Sequence, residues 1–419
     1  MKQETKPSGT LDIFGVTFEN RDYVCQRLKA VYQSFGYDPL QTPALEFEEV
    51  FTGHHGEGEK LLFRFVDAQG KKLVLRYDMT VPFARFAKDH PELPRPIKRY
   101  QMQMAYRDDA VDKGHFREFM QCDGDIIGTT LLSADADVIN LAVAGLTAVG
   151  FSNFIIRINH RSIIKGIAEE LGYKDKEGML RIQRALDCAD KFGKSQASVD
   201  DFVQKLTARA FNKQEIEQIT SLVFDEYDFD STEGLIERLN NNSAVVQGIN
   251  ELKEIIGYLP REILHHCRLD LTLARGADYY TGFILEGVIP NSGVGAVLGG
   301  GRYDNLVKNC GGTDEGCVGM AFGLDRICVA MEDADMYPKI LTPKLLLATD
   351  DIPVTDMFKK ANHLRTKGFN CDLSLDFSKR ENAVQYAKAR HFSGVVWNNE
   401  YIPINDTPEF REKILNILN

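Results

Sequence analysis

The residue pattern predicts a mixed α/β chain of the α+β kind. An antiparallel sheet flanked by helices is interrupted by a helical insertion and followed by a small C-terminal α/β domain. Three observations carry this reading. Two long runs of strand character, 97–107 and 116–127, flank one polar loop. Between about 159 and 260, apolar residues recur at helical spacing with little strand propensity. After Pro343, strand-like and helix-like segments alternate, as they do where crossover helices join parallel strands.

Taken in order, Tyr23, Val24, Leu28, Val31, Tyr32 and Phe35 predict a helix over 18–35 that stops at Gly36 and feeds an extended segment over 37–43. Runs 61–66 and 72–76 around the Gly-containing loop 67–70 predict a hairpin. Thr80 is the expected N-cap of a helix reaching about Lys88, with Pro82 tolerated in its first turn. The insertion is expected to hold helices over 177–191, 214–224 and 243–256. Strand character returns at 275–289 and 294–298, before a Gly-rich turn and a strand-into-helix segment over 318–331. In the tail, strands are expected at 345–348, 371–375 and 394–397, and helices at 353–367, 378–390 and 408–418. The division expected is 1–158 and 263–336 as two parts of one domain, 159–262 as the insertion, and 344–419 as the last domain.

Composition narrows the function classes. The 419 residues, 43% of them hydrophobic, suffice for several buried cores. The net charge of −11 argues against indiscriminate coating of nucleic acid, so any such contact has to be local. Neither an apolar run of 18 residues nor a leader-like start is present, and a cytoplasmic protein without membrane contact is expected. Eight cysteines without a C-x-x-C pair read as reduced thiols. The doublets His54-His55 and His265-His266 lack partners at zinc-ligand spacing, so no resident metal is expected.

Period-2 alternation puts Arg117, Phe119, Gln121, Asp123 and Asp125 on one face of the second long strand, and Arg107 on the first shares parity with Arg99, Gln101 and Gln103. A face with arginines and carboxylates makes a poor core. Arg275-Gly-Ala-Asp-Tyr-Tyr-Thr-Gly282 and Gly299-Gly-Gly-Arg-Tyr-Asp304 set glycines, which admit close backbone approach, beside arginines and tyrosines. The run 293–299 lacks G-x-G-x-x-G spacing, and no P-loop or kinase signature occurs. Arg107, Arg275 and Arg326 stand at strand mouths or edges. Guanidinium groups stay charged and grip phosphate in a fork, so these three suggest a polyanionic ligand, with a small polar substrate beside Asp78, Gln121 and Asp125.

On these residues the sequence resembles class II aminoacyl-tRNA synthetases, and among them the histidyl-tRNA synthetases. Leu75-Arg-Tyr-Asp-Met-Thr-Val-Pro-Phe-Ala-Arg85 resembles the family's entry to the histidine pocket. The stretch from Tyr106-Arg107 to Gly114, with Arg117-Glu-Phe-Met-Gln-Cys-Asp123, resembles motif 2. Leu273-Ala-Arg-Gly-Ala-Asp-Tyr-Tyr-Thr-Gly282 resembles the histidine signature, and Gly319-Met-Ala-Phe-Gly-Leu-Asp-Arg326 resembles motif 3. The likeness runs from about Ser8 to the C-terminus.

The resemblance implies ATP- and Mg²⁺-dependent activation of L-histidine to histidyl-adenylate, then transfer to the 3′ end of tRNA(His), by a cytoplasmic homodimer with a C-terminal anticodon-binding-like domain. It implies catalytic roles for Arg107 and Arg275; ATP contacts from Arg107, Arg117, Glu118, Phe119 and Arg326; and histidine contacts from Asp78, Thr80, Gln121, Asp125, Arg275, Tyr279, Tyr280 and Tyr303. The loop 110–113 lacks the family's proline, His115 stands where arginine is frequent, and the C-terminal domain is short. A synthetase-like regulatory subunit of ATP phosphoribosyltransferase is the alternative, but such paralogues usually lose the signature arginine or the C-terminal domain.

Overall fold

The computed structural model describes residues 5–53, 56–189, 196–274, 279–338, 342–374, 377 and 379–418. They group into two compact units, Met1–Asp12 with Val24–Ala334 and Ile13–Tyr23 with Asp335–Asn419.

In the first unit the described strands are β1 (Asp38–Pro39), β2 (Leu45–Phe47), β3 (Arg64–Val66), β4 (Lys72–Leu75), β5 (Ile97–Tyr106), β6 (Glu118–Ile127), β7 (Ile155–His160), β8 (Cys267–Leu269), β9 (Phe283–Val288), β10 (Leu298–Arg302) and β11 (Cys317–Gly323). Eight of them form one sheet in the order β1-β5-β6-β11-β10-β9-β7-β8. Its centre is antiparallel, while β1 on β5 and β8 on β7 pair parallel at the two edges. The small sheet β2-β4-β3 lies in the same unit, and β3 and β4 form the hairpin expected there. Asp67 tightens its turn by accepting from the Gln69 and Lys71 N–H groups.

The helix Val16–Ser34 buries Val24, Leu28 and Tyr32, spaced by four. Tyr32 stacks on Tyr100 of β5 with ring centroids 5.3 Å apart, and its hydroxyl donates to the Cys122 carbonyl of β6 at 2.5 Å. The helix Ser133–Val149 is buried over most of its surface. Gly145 lets it meet β11, because a Cβ there would lie 2.2 Å from Phe322 Cζ. Its fully buried Asp135 takes both Nε, at 2.9 Å, and Nη2 of Arg302 on β10. A buried pair of this kind leaves a costly bare charge if one partner is removed.

Several expectations need correction. Thr80 is the first residue of the helix Thr80–Asp89, not its cap; Met79 occupies the cap position and the Asp78 carboxylate accepts the Val81 N–H at 3.1 Å. Asp78 is therefore fixed by the helix N-terminus. The expected Gly-rich turn is the strand β10 itself. Gly300 and Gly301 lie so close to neighbouring strands that a Cβ would meet the Gly319 carbonyl oxygen at 2.3 Å and the Phe283 oxygen at 2.5 Å, respectively. Strand β9 is shorter than the expected 275–289, with 275–278 outside the described residues. The extended segment after Gly36 makes only the two-residue β1.

Within the insertion, Lys176–Ala189, Lys213–Phe224 and Ser243–Gly257 are helices at the expected places, and residues 190–191 lie outside the description. The second unit contains β12 (Lys344–Ala348), β13 (Asn370–Leu373), β14 (Gly394–Trp397) and β15 (Glu400–Pro403), in the order β13-β12-β14-β15. The first three are parallel as expected; β15, after Trp397, adds an antiparallel edge. Helices Val354–Thr366, Arg380–Ala389 and Pro408–Leu418 accompany them, and the expected ends at 375–376 and 378 fall outside the described residues. Leu345, Leu347, Met357, Leu364 and Ile414 form one of its cores.

Candidate active site

A cavity of about 590 Å³ opens over β6, β11 and β10. Its floor follows from strand periodicity: Phe119, Gln121 and Asp125 alternate onto one face of β6, and β11 contributes Gly319 and Ala321 beside them. Glycine is needed at 319, since a Cβ would lie 2.0 Å from Asp125 Oδ1.

At one end, Asp78 and Thr80 enter from the start of the helix Thr80–Asp89, and Tyr279, Tyr280 and Tyr303 form an aromatic wall. Ring centroids are 5.1 Å apart for Tyr279–Tyr280 and 5.8 Å for Tyr279–Tyr303, both edge-on. Tyr279 donates to Asp78 Oδ2 at 3.4 Å, and Tyr303 donates to Asp125 Oδ1 at 2.5 Å. Burial pushes all three phenols above their ordinary range, so they remain O–H donors. Burial also raises the carboxyls of Asp123 and Asp125. Arg99 opposes this rise at both carboxyls, and the Tyr303 hydroxyl opposes it at Asp125.

At the other end, the Arg107 guanidinium lies 4.2 Å from the Tyr77 ring centroid and 5.0 Å from that of Phe119, and Nε donates to the Tyr77 carbonyl at 3.2 Å. Such stacking holds the fork without neutralising it. Arg326, in the first turn of the helix Leu324–Asp333, donates from Nη1 to the Ala296 carbonyl at 2.8 Å. Gly114, with φ +74°, brings the β5–β6 loop against the Arg326 stem; a Cβ there would lie 3.2 Å from Arg326 Cγ. Asp325 ties the same helix to β6 by accepting the Met120 N–H at 3.1 Å.

Thus Asp78, Thr80, Arg107, Phe119, Gln121, Asp125, Tyr279, Tyr280, Tyr303 and Arg326 share one cavity. Arg117 and Glu118 do not line it. Arg117 pairs with Asp108 and lies 5.1 Å over the Phe63 ring, and Glu118 has the opposite strand parity and bonds Tyr106. Arg275 and His54-His55 lie outside the described residues. Residues not foreseen include Tyr77, Glu286 and, from the insertion helix Lys176–Ala189, Leu180, Gln183, Arg184 and Asp187. Tyr77 adjoins Asp78 and was reachable by proximity, whereas no local signal marks the insertion residues. Among the described residues, no three His, Cys, Asp or Glu side chains converge as a metal-ligand set, and no helix is long and apolar enough to cross a membrane.

The family model described as "Histidyl-tRNA synthetase" matches residues 9–327. A histidine–tRNA ligase of Cytophaga hutchinsonii is 33% identical, covering 92% of this chain and 90% of that protein. One of Aeropyrum pernix is 34% identical, covering 88% and 84%. Among solved structures, histidyl-tRNA synthetase from Nostoc sp. PCC 7120 superposes with TM-score 0.78 over the whole of both chains at 23% identity, which supports the fold.

Proposed function

The chain belongs to the histidyl-tRNA synthetase family, and from that premise we propose how its residues perform the family's reaction. That reaction is ligation of histidine to tRNA. L-Histidine is first activated by ATP to histidyl-adenylate, and the histidyl group then passes to the 3′ end of tRNA(His). The observation that carries the reading is the convergence of Asp78, Arg107, Gln121, Asp125, Tyr280, Tyr303 and Arg326 on one cavity.

In the first step a histidine carboxylate oxygen attacks the α-phosphorus of ATP. The new P–O bond forms as the bond to the bridging oxygen breaks, and pyrophosphate leaves. No side-chain nucleophile is required; positioning and charge neutralisation suffice. Arg107 receives the α-phosphate, with Arg275 assigned the same charge-neutralising role. Adenine lies between Phe119 and Arg326, with Arg117 and Glu118 as outer ATP contacts. Asp78 and Thr80 hold the α-amino group. Gln121, Asp125, Tyr279, Tyr280 and Tyr303 surround the imidazole, whose N–H meets a carboxylate. A pocket built to hydrogen-bond the ring leaves buried polar groups unpaired with an apolar competitor. In the second step a hydroxyl of the terminal ribose attacks the carbonyl carbon, and AMP leaves.

Mg²⁺ would accompany the ATP phosphates, where it would neutralise phosphate charge. Residues 344–419 are assigned to anticodon recognition. A cytoplasmic homodimer is proposed through the first helix and the strand region ending at Pro43; the exposed Leu45 and Phe47 nearby support an apolar contact. The curated ligases among the relatives favour catalysis over a regulatory subunit of ATP phosphoribosyltransferase.

Histidine-dependent exchange of pyrophosphate into ATP tests the reading. Exchange and charging of tRNA(His) are expected; folded protein that binds histidine without exchange would overturn it in favour of the regulatory role.

A further inference from the structure

Behind the cavity, β5 and β6 set Arg99 opposite Asp125, Gln101 opposite Asp123, and Gln103 opposite Gln121. Arg99, Gln101, Asp123 and Asp125 are all at most 2% exposed. Arg99 Nη2 meets Asp125 Oδ2 at 2.9 Å and donates to the Met79 carbonyl at 2.9 Å, with the guanidinium 4.6 Å over the Phe83 ring. Among the described residues, four buried acceptors here lack a hydrogen-bond partner, Gln101 Oε1, Gln121 Oε1, Asp123 Oδ1 and, apart from its ion pair with Arg99, Asp125 Oδ2; the register sets Gln101 and Asp123 directly opposite each other.

The orientation of the Gln101 amide is fixed by its neighbours. Gln103 Oε1 receives Arg76 Nη1 at 3.1 Å and the Thr42 N–H at 3.3 Å, both of which can only donate, so this atom is oxygen. The Gln101 atom 2.5 Å from it must then be nitrogen, which also donates to Thr42 Oγ1 at 2.8 Å. The remaining Gln101 atom is a carbonyl oxygen on the strand directly opposite Asp123. Directly opposed side chains start from Cβ atoms about 4.5–5.5 Å apart. A buried acceptor left without a donor is costly, and a proton on Asp123 would supply a donor to Gln101 Oε1 across the strand pair.

We infer that Asp123 is a neutral carboxylic acid that donates its proton to Gln101 Oε1, a positioning residue that leaves Arg99 to Asp125 alone. Ionised, Asp123 would compete for Arg99, whose Nε and Nη1 have no hydrogen-bond partner. Neutral, it makes Asp125 the one carboxylate that Arg99 and Tyr303 orient toward the cavity. The other charged or titratable groups around Asp123 are Arg76, Arg107, Asp78, Tyr280, Tyr32 and Cys122. Arg76 is bonded to the Thr42, Pro43 and Met104 carbonyls and to Gln103, and Arg107 to the Tyr77 carbonyl. Asp78 and Asp125 add like charge. Burial, first among the causes, accordingly holds the Asp123 carboxyl well above the usual carboxylate range.

The role in recognition rests on the synthetase reading, so the test includes a readout that does not depend on activity. In infrared spectra of the full chain at neutral pH, a protonated-carboxyl stretch is expected that Asp123→Asn removes and Gln101→Met shifts to higher frequency. In histidine-dependent exchange, Asp123→Leu should raise KM for histidine about tenfold with KM for ATP unchanged, and Asp123→Asn, a neutral N–H donor, should bring it back to within about threefold of wild type. Absence of the band, or an Asp123→Asn enzyme as impaired as Asp123→Leu, overturns the inference. If the Asp123 variants do not fold, an unshifted band in Gln101→Met overturns it. Lack of exchange by wild-type protein would sink the enzyme reading and leave the band to decide this one.

Discussion

The Tyr303 phenol donates to Asp125 Oδ1 across 2.5 Å, fixing one oxygen of a cavity carboxylate whose other oxygen meets the buried Arg99. A hydrogen bond to a charged acceptor is worth about 1.5–3 kcal/mol. Tyr303→Phe is therefore expected to raise KM for histidine by at least about tenfold in pyrophosphate exchange, with KM for ATP unchanged. Equal effects on both substrates would place Tyr303 outside histidine recognition.

Arg107 presents its fork between the Tyr77 and Phe119 rings. Arg107→Ala should lower histidine-dependent exchange about 10²–10³-fold, as loss of a preorganised charge-stabilising donor does. Arg107→Lys should recover only part of this, because an ammonium lacks the planar fork. Arg275→Ala is expected to act in the same direction. Circular dichroism checks that each variant is folded, and near-normal exchange would refute the assigned roles.

Gly319 offers no room for a methyl group: the added carbon would lie 2.0 Å from Asp125 Oδ1 and 2.8 Å from Asp125 Cα on the adjoining strand. Gly319→Ala is expected to cost about 1–3 kcal/mol by overpacking. Urea unfolding measures it, and an unchanged midpoint would contradict the tight approach of β11 to β6.

Arg95 grips Glu315 through two hydrogen bonds, Nε to Oε2 at 2.5 Å and Nη2 to Oε1 at 3.1 Å. This contact, first among the causes, holds the Glu315 carboxyl below its ordinary value of 4.5. A carboxyl whose folded value is depressed stabilises the fold above its unfolded value, and that contribution is lost as pH falls through the folded value. The stability gap between wild type and Arg95→Met, read by denaturant titration at a series of pH values, should be full at neutral pH and shrink below 4.5. A gap independent of pH would mean the pair is not ionic.

Much of this was legible locally. Helix Val16–Ser34 and its buried Val24, Leu28 and Tyr32 follow from spacing alone, and so do the β5–β6 hairpin and the polar face carrying Gln121 and Asp125. The quoted motifs fixed the family, because each joins residue types to a spacing. What the sequence left undecided depends on distant neighbours. Gly300 and Gly301 read as a turn until the strands on either side show that only glycine fits between them. Met79 rather than Thr80 takes the cap position of its helix, and the Asp78 carboxylate, not the Thr80 hydroxyl, receives a first-turn N–H. Arg184 and Asp187 reach the cavity only because the insertion folds back over it. Arg99 and Asp125 stand out in the sequence only as members of two polar strand faces; that they pair is decided when antiparallel register sets them opposite each other and burial removes the water that would have screened them. Periodicity is a property of neighbours in the chain, so sequence determines it. The partners of a buried charge are chosen by register and packing, which only the folded chain decides.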